Sequence, residues 1–454
     1  MSKTYRPYNP GQSYLFPPSP SDWLPEGHLA RFILDVVQEL DLSKIYAHYE
    51  RELRGFPPHH PMMMVALLLY AYCMGLPSSR KIERKTYEDV AFRVIAGEDH
   101  PDHTRISEFR RIHLAALTEL FVQVLQLCQK AGLVRLGAVA LDGTKVKANA
   151  SKHKAMSYDR MREEEQRLRQ KVKSLLETAE KIDAGEDAEY GVNRRGDELP
   201  EDLQRSQDRL KKIREAKAAL EAEAKRRKAE EEEASKHKDD DDLPPGPRET
   251  PLPEHRVPTT DEGKPTDKAQ RNFTDPDSRI MKTGDGYVQG YNCQAVVDAQ
   301  NQIIVAQAVT NQPPDVEHLV PMLVNTVDNC GAKPERFVGD AGYFSENNVC
   351  ELQKWGIDPY IATGRQRHSE APPPIRGRTP SNMTIKEAMA RKLATKAGKA
   401  VYSRRKVIVE PVFGQIKEAR GFRRFLLRGL EKVRGEWSLI TLTHNLLKLH
   451  AATA

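Results

Sequence analysis

Cysteine is scarce. The five residues, Cys73, Cys128, Cys293, Cys330 and Cys350, are scattered, odd in number and free of any C-x-x-C pair. That excludes a disulfide framework and a cysteine-based structural zinc site, and it fits free thiols in a reducing cytosol. Long apolar runs are missing too. The longest, Met62 to Leu76, falls short of the ~20 residues that cross a bilayer and reads as a buried helix. The opening "MSKTYRPYNPGQSYLFPPSP" is polar and proline-rich and does not read as a signal peptide. These absences lead to the expectation of a soluble, cytoplasmic protein with no membrane partner. Hydrophobic residues are only 39% of the chain and aromatics 7%, while charged residues reach 30%. A normal core diluted by a polar segment accounts for that balance.

What is present is positive charge in one place. The 454-residue chain, long enough for two or three domains, carries a net charge of +6. From Val401 to Arg434 ten Lys/Arg face three Glu, so this segment alone holds an excess of seven. A concentrated basic patch is the electrostatic footprint of a nucleic-acid or other polyanion surface.

Residues 1–135 read as all-helical, with helices near 26–40, 61–76, 79–95 and 104–131 separated by Pro and Gly. The serines of "SSRKIERKTYEDV" are N-cap candidates. The exposed "RKIERK" suits either a DNA contact or a solvated face. His59, His60, His100 and His103 lie in loops without metal-ligand spacing. At "LGAVALDGTKVKANA" the pattern turns to a strand with Asp142 at or near its end. Residues 151–240 follow as two long charged helices joined near 185–200, and 241–275 have linker composition. Strand signals return at 286–292, 293–297 and 303–309, and "RFVGDAGYFS" gives a short strand ending at Asp340.

Three acids stand out by position: Asp142 and Asp340 at strand ends, and Glu410 at the head of a late helix. A sheet brings strand ends together, and a packed helix can add a third carboxylate. Three such carboxylates make an oxygen-rich site for Mg²⁺, or Mn²⁺ in its place. Two ions roughly 3.5–4 Å apart activate a water or a 3′-hydroxyl against a phosphodiester. Each acid also has a plainer reading. "DG" and "GDAG" are turn signals, and a Glu before Pro suits a helix start. Position alone leaves both readings open.

The chain resembles the DDE transposases of bacterial insertion sequences. "LDGTKVKANA" resembles their first-Asp motif and "FVGDAGYFS" their second. "YSRRKVIVEPVFGQIKEARGFRRFLLRG" resembles the third, which carries Tyr, Arg, Glu and Lys in order. "RGFPPHHPMMMVALLLYAYCMGLPSSRKIE" resembles the helical region before such cores. The resemblance implies an α/β chain in four parts. An RNase H-like mixed-sheet core takes 136–150 plus 276–454, behind an all-α DNA-binding domain at 1–135. The charged helical insertion at 151–240 and the flexible linker at 241–275 interrupt it. It implies Asp142, Asp340 and Glu410 as catalytic metal ligands of a two-ion Mg²⁺ site. Lys417, Tyr402, Arg405, Lys406, Arg420, Arg423, Arg424 and Arg428 become DNA-binding. Lys417 stands seven residues after Glu410, nearly two helical turns, so one shared face is expected. One departure stands out: the family's Arg lies four residues before the Glu and its Tyr three before that Arg. Here 406 is Lys and 403 is Ser, while Tyr402 and Arg405 keep their mutual spacing one residue early. The implied activity is cleavage at the element's terminal inverted repeats and transfer of the freed 3′-OH to target DNA, by a homodimer or larger assembly. The alternatives are an RNase H-like nuclease without strand transfer and an inactive DNA-binding scaffold.

Overall fold

Capping chemistry divides the amino-terminal helices more finely than periodicity predicts. The computed structural model describes residues 19–51, 57–190, 201–236, 251–284, 286–364 and 382–453. Its first helices are α1 (Leu29–Glu39), α2 (Ser43–Tyr49), α3 (Pro61–Cys73), α4 (Ser79–Glu88), α5 (Val90–Ala96), α6 (His103–Ile112) and α7 (Leu114–Lys130). The helix predicted over 79–95 breaks at Asp89, whose carboxylate accepts from Ala91 N at 3.1 Å and Phe92 N at 3.4 Å. An Asp at that point satisfies two orphan donors, so starting a new helix there is favourable. Ser78 is an N-cap by position, but its side chain makes no capping bond. The helix predicted over 104–131 breaks at His113.

The sheet is built from β1 (Val139–Lys147), β4 (Arg279–Thr283), β5 (Gly286–Asp298), β6 (Ile304–Thr310), β7 (Arg336–Gly339) and β8 (Asp358–Ile361). A separate two-stranded ribbon joins β2 (Ala155–Ser157) to β3 (Gln270–Asn272). Strands β5, β1, β7 and β8 lie side by side, with β6 and β4 paired to β5. β5 runs antiparallel to β1, while β7 and β8 continue parallel. This mixed order is the RNase H-like arrangement that the sequence predicts. The segments 286–292 and 293–297 are one continuous strand.

Helices α10 (Leu319–Cys330), α11 (Glu346–Lys354), α12 (Ile385–Ala394), α13 (Lys396–Ser403), α14 (Arg405–Ile408) and α15 (Glu410–Gly414) follow the insertion helices α8 (Tyr158–Tyr190) and α9 (Glu201–Lys236). The last, α16 (Leu430–Thr453), packs against α3, α7 and β6. One hydrophobic cluster runs from Leu24 through Leu67, Val296 and Trp437 to Leu449. The boundary expected at 135 is therefore a boundary along the chain, not between two cores. Among the described residues no single helix is long and apolar enough to cross a membrane.

The insertion helices α8 and α9 lie antiparallel. Glu165 sits between them, accepting from Lys217 Nζ at 3.0 Å and Arg214 Nε at 3.2 Å. Their apolar positions Leu168, Leu210, Ile213 and Leu220 form a second cluster with Val257 and Ala269. The flexible linker expected over 241–275 thus differs from 251 onward. That stretch is packed, because Val257 and Ala269 supply apolar contacts that overall composition conceals. Residues 241–250 lie outside those described, as does the 191–200 part of the join expected near 185–200, whereas 185–190 belong to α8.

Buried on every side from Gly435 to Leu446, α16 carries polar groups there that are paired. Asn445 accepts from Ile304 N and donates to Ile304 O, both at 2.8 Å. His444 meets the Gln302 carbonyl at 2.9 Å. Burial, with Arg420 nearby, pushes the His444 pKa down to about 3. In the unfolded chain a histidine titrates near ~6.5. Between those values the unfolded state binds a proton that the folded state refuses. Stability is therefore lost as pH falls below the unfolded value, by up to ~1.4 kcal/mol per pH unit. Urea unfolding at about pH 7, 6 and 5 should show this loss, and His444→Gln should lessen it, with His113 and His255, also lowered by burial, supplying the remainder. An equally steep fall in the variant would mean that His444 is protonated in the folded protein.

Candidate active site

β1 is long because β5 supports it along its whole length, from Val139 opposite Asp298 to Lys147 opposite Gly290. β7 supports only its first part, with Leu141 level with Gly339. Asp142 therefore lies inside the strand rather than at its end, at the point where β7 leaves. The next residue of β7's chain is Asp340. Parallel register thus sets the two aspartates side by side, one step beyond the last pair. Asp340 turns the chain into a 3₁₀ segment, Ala341–Tyr343, accepting from Gly342 N at 2.8 Å. Asp142 accepts from Gly143 N, also at 2.8 Å.

The third acid arrives through an arginine. Arg405 Nη1 donates to Asp142 Oδ2 at 2.9 Å, and its Nη2 reaches Glu410 Oε1 at 3.4 Å. The Asp142 and Arg405 side chains are 18% and 15% exposed, whereas Glu410 is 51% exposed. Burial raises the Asp142 pKa to about 6; Arg405 opposes the shift and Asp340 adds to it. The helix-cap account of Glu410 does not describe its contacts. Glu410 is the first residue of α15, its N-cap position is Val409, and no side chain caps that helix.

Arg405, not Lys406, makes these bonds, although it lies one residue early for the family spacing. A helix break at Arg404 separates α13 from α14 and changes the phase. Tyr402 lies beside Arg405, and burial pushes its hydroxyl pKa up against the opposing guanidinium. Lys406 is exposed. Lys417 donates to the Lys145 carbonyl of β1 at 2.9 Å. It sits in a π-helical turn, Gln415–Ala419, which follows directly on α15.

The basic segment that follows runs along the far end of β1. Phe425 N donates to Lys147 O at 2.9 Å, and Arg428 Nε to Asn149 O at the same distance. Arg423, Arg424 and Arg428 are exposed there, Arg423 being paired with Glu418. Arg420 is different and corrects the expectation of a DNA contact. Its guanidinium points inward, to Thr443 Oγ1 at 2.8 Å and Ile440 O at 2.9 Å, and stacks on Phe422. Burial lowers its pKa to about 10.

Chemically, Asp142, Asp340 and Glu410 offer only carboxylate oxygens, the donors that hard divalent cations take. Among the described residues no group of three or more His, Cys, Asp or Glu is assembled to hold a metal ion. The guanidinium of Arg405 supplies positive charge between two of the three acids. His59 and His103 each pair with one carboxylate, Asp99 at 2.6 Å and Glu83 at 2.8 Å. Sequence reasoning missed Asp315, which accepts from Lys145 Nζ at 3.1 Å, and Glu436, fully buried in α16. A carboxylate beside Trp437 in the run "EWSLITLTHNLL" was the available signal for Glu436; Asp315 gave none beyond a Pro-Pro-Asp turn.

Residues 254–446 match a family described as the transposase DDE domain, and residues 18–111 match a transposase domain of the DUF772 family. Asp340, Glu410 and Lys417 fall inside the first match, while Asp142 falls in neither. No curated protein and no solved structure matches the chain.

The two classes of arginine should separate in experiment. Arg420→Ala should cost about 2–3 kcal/mol in urea unfolding, because a buried, hydrogen-bonded charge is removed from its acceptors. Arg428→Ala should leave stability within about 0.5 kcal/mol and weaken DNA binding instead. Equal unfolding midpoints for the two variants would contradict the inward placement of Arg420.

Proposed function

The chain belongs to the DDE transposases of insertion sequences, and on that premise we propose that Asp142, Asp340 and Glu410 are its catalytic carboxylates. It is a DNA transposase, and its substrate is DNA. The observation that carries the residue assignment is the parallel register of Leu141 with Gly339, which sets Asp142 beside Asp340, with Glu410 joined to them through Arg405.

In this reading Asp142, Asp340 and Glu410 hold two Mg²⁺ ions, or Mn²⁺ in their place. When bound, these ions supply activation of the attacking oxygen and charge neutralisation at the leaving oxygen. The residues of the chain do the rest. Arg405 balances Asp142 and Glu410 in the resting protein. With those carboxylates engaged elsewhere, its fork is available to a phosphate of the element end. Tyr402 limits where that fork can swing. Lys417 braces the β1 backbone at Lys145 from one side, so its part is to keep the Asp142 strand in register beside the phosphate. Arg423, Arg424 and Arg428, with Lys406, carry the duplex backbone past the carboxylates. The activity is hydrolysis at the terminal inverted repeats, then attack of the freed 3′-OH on target DNA. The assembly on DNA is a homodimer or larger, acting in the cytoplasm. The amino-terminal helices contribute to end binding.

Asp142→Asn and Asp340→Asn should each lower cleavage of an end-containing duplex by at least about 100-fold while leaving duplex affinity near that of the parent. Glu410→Gln should stay within about 1 kcal/mol in thermal unfolding, since no backbone donor depends on it, yet lose Mg²⁺-dependent cleavage. A folded Glu410→Gln protein that cuts at the parental rate would remove this residue from the site. Cleavage without joining to a target plasmid would instead favour the nuclease alternative.

The basic segment gives a separate measurement. Changing Arg423, Arg424 and Arg428 together to Ala should reduce the slope of log affinity against log salt by up to ~2.7, at about 0.9 for each phosphate no longer neutralised. An unchanged slope would put the duplex on another surface, such as α4.

A further inference from the structure

Asp315 lies outside all three motifs, in the turn "VTNQPPD" between β6 and α10. Its Oδ1 accepts three hydrogen bonds: from Asn292 Nδ2 at 2.7 Å, Gln294 Nε2 at 2.9 Å and Lys145 Nζ at 3.1 Å. Lys145 also donates to Pro313 O at 3.0 Å, which ties the turn to β1. Two of these donors, Asn292 and Gln294, stand on β5 directly opposite Lys145 and Gly143 of β1. Gln294 then receives the hydroxyl of Tyr343 on its Oε1. Tyr343 closes the 3₁₀ turn that begins at Asp340, and its ring is fully buried. A single carboxylate is thereby connected to the strand carrying Asp142 and to the turn carrying Asp340.

The glycines of the two Asp motifs obey the same centre. A Cβ on Gly143 would lie 2.6 Å from Gln294 Nε2, 3.0 Å from Asp315 Oδ1 and 3.1 Å from the Tyr343 hydroxyl. On Gly342 it would lie 3.0 Å from Asp340 Oδ1 and 3.7 Å from Asp315 Oδ2. So the "DG" after Leu141 and the "DAGY" after Gly339 leave room for one polar network, beyond any need for a turn. Successive strand residues point to opposite faces. Asp142 and Gly143 therefore look to opposite sides of β1, and Asp315 acts from behind the strand.

We propose that Asp315 is a positioning carboxylate of the active site, which fixes β1 and the Asp340 turn against each other and so sets the separation of Asp142 and Asp340. It does this through Gln294 and Tyr343 on one side and Lys145 on the other. Partners of this kind, behind metal ligands, orient them and tune metal affinity. The proposal rests on Asp142 and Asp340 being metal ligands.

The test titrates Mn²⁺ alone into the full chain and reads free Mn²⁺ by electron paramagnetic resonance, beside thermal unfolding. Asp315→Asn preserves shape but removes the charge and replaces an acceptor with a donor. It should raise the Mn²⁺ dissociation constant about tenfold. Tyr343→Phe, which keeps the ring, should raise it several-fold, and Asp315→Glu should recover part of the loss. Asp142→Asn serves as the control and should abolish binding. Parental Mn²⁺ affinity in Asp315→Asn, with binding abolished in Asp142→Asn, would overturn the role of Asp315 alone. Parental affinity in Asp142→Asn as well would overturn the carboxylate site and this inference with it. Should Asp315→Asn fail to fold, Tyr343→Phe decides, and unchanged Mn²⁺ affinity there overturns the proposal.

Discussion

Everything at the candidate site depends on one short parallel pairing. β7 has four residues and touches β1 over three of them, Val139 to Leu141 against Phe337 to Gly339. Parallel strands cannot be joined by a hairpin, so the chain must cross over through α10 to make this pair. The pairing residues are buried apolar side chains. A one-residue slip would exchange the faces on which the buried Phe337 and Val338 pack, and neither face is shaped for the other side chain, which disfavours the slip. Because register is fixed by packing, the polar residues immediately after it arrive together without any attraction of their own. Two aspartates repel, and burial penalises Asp142; the apolar strands hold the pair side by side in spite of that.

Arg405 resolves the electrostatic problem that this creates. With the guanidinium half-buried between Asp142 and Glu410, one positive charge is shared by two acids, and Asp340 stands near enough to raise the Asp142 pKa. A buried ion pair contributes little net stability, because desolvation offsets the Coulomb gain, yet removing one partner leaves an uncompensated charge. The arrangement therefore suits exchange better than permanence. Under the proposed assignment, a divalent cation held by these carboxylates would compensate them more fully than a guanidinium and would leave Arg405 available to another anion.

The sequence makes some of this legible and hides the rest for identifiable reasons. Alternation and β-branched residues disclose the core strands, and the motif residues disclose Asp142 and Asp340. Placing Asp142 at a strand end fails because β5, far along the chain, extends β1 by pairing with it. The π turn that carries Lys417 is not visible in a spacing of seven. Arg420 reads like its neighbours Arg423 and Arg424, since sequence shows charge but not direction; only Thr443 and Ile440, on another helix, turn it inward. Asp315 is hidden because its donors come from β1 and β5, 170 and more than 20 residues away. Its meaning appears only once the sheet has assembled.

The basic segment raises a physical question of its own: how a run of like charges keeps a defined shape. The answer lies underneath it. Glu436, fully buried in α16, accepts from Leu426 N at 3.0 Å and Leu427 N at 2.9 Å. Asp277 accepts from Leu430 N at 2.9 Å, and Asp275 from Gly429 N at 3.1 Å. Phe422 and Phe425 insert into the core on either side of the exposed Arg423 and Arg424. The loop is thus held by its backbone donors and its aromatic rings, both turned inward. Arg423 and Arg428 add ties of their own, to Glu418 and to the Asn149 carbonyl, while staying exposed at the surface. Burying a carboxylate in a helix packed inside the protein is costly unless its lone pairs are used. Here they are used on the backbone of the segment that presents Arg423, Arg424 and Arg428 at the surface.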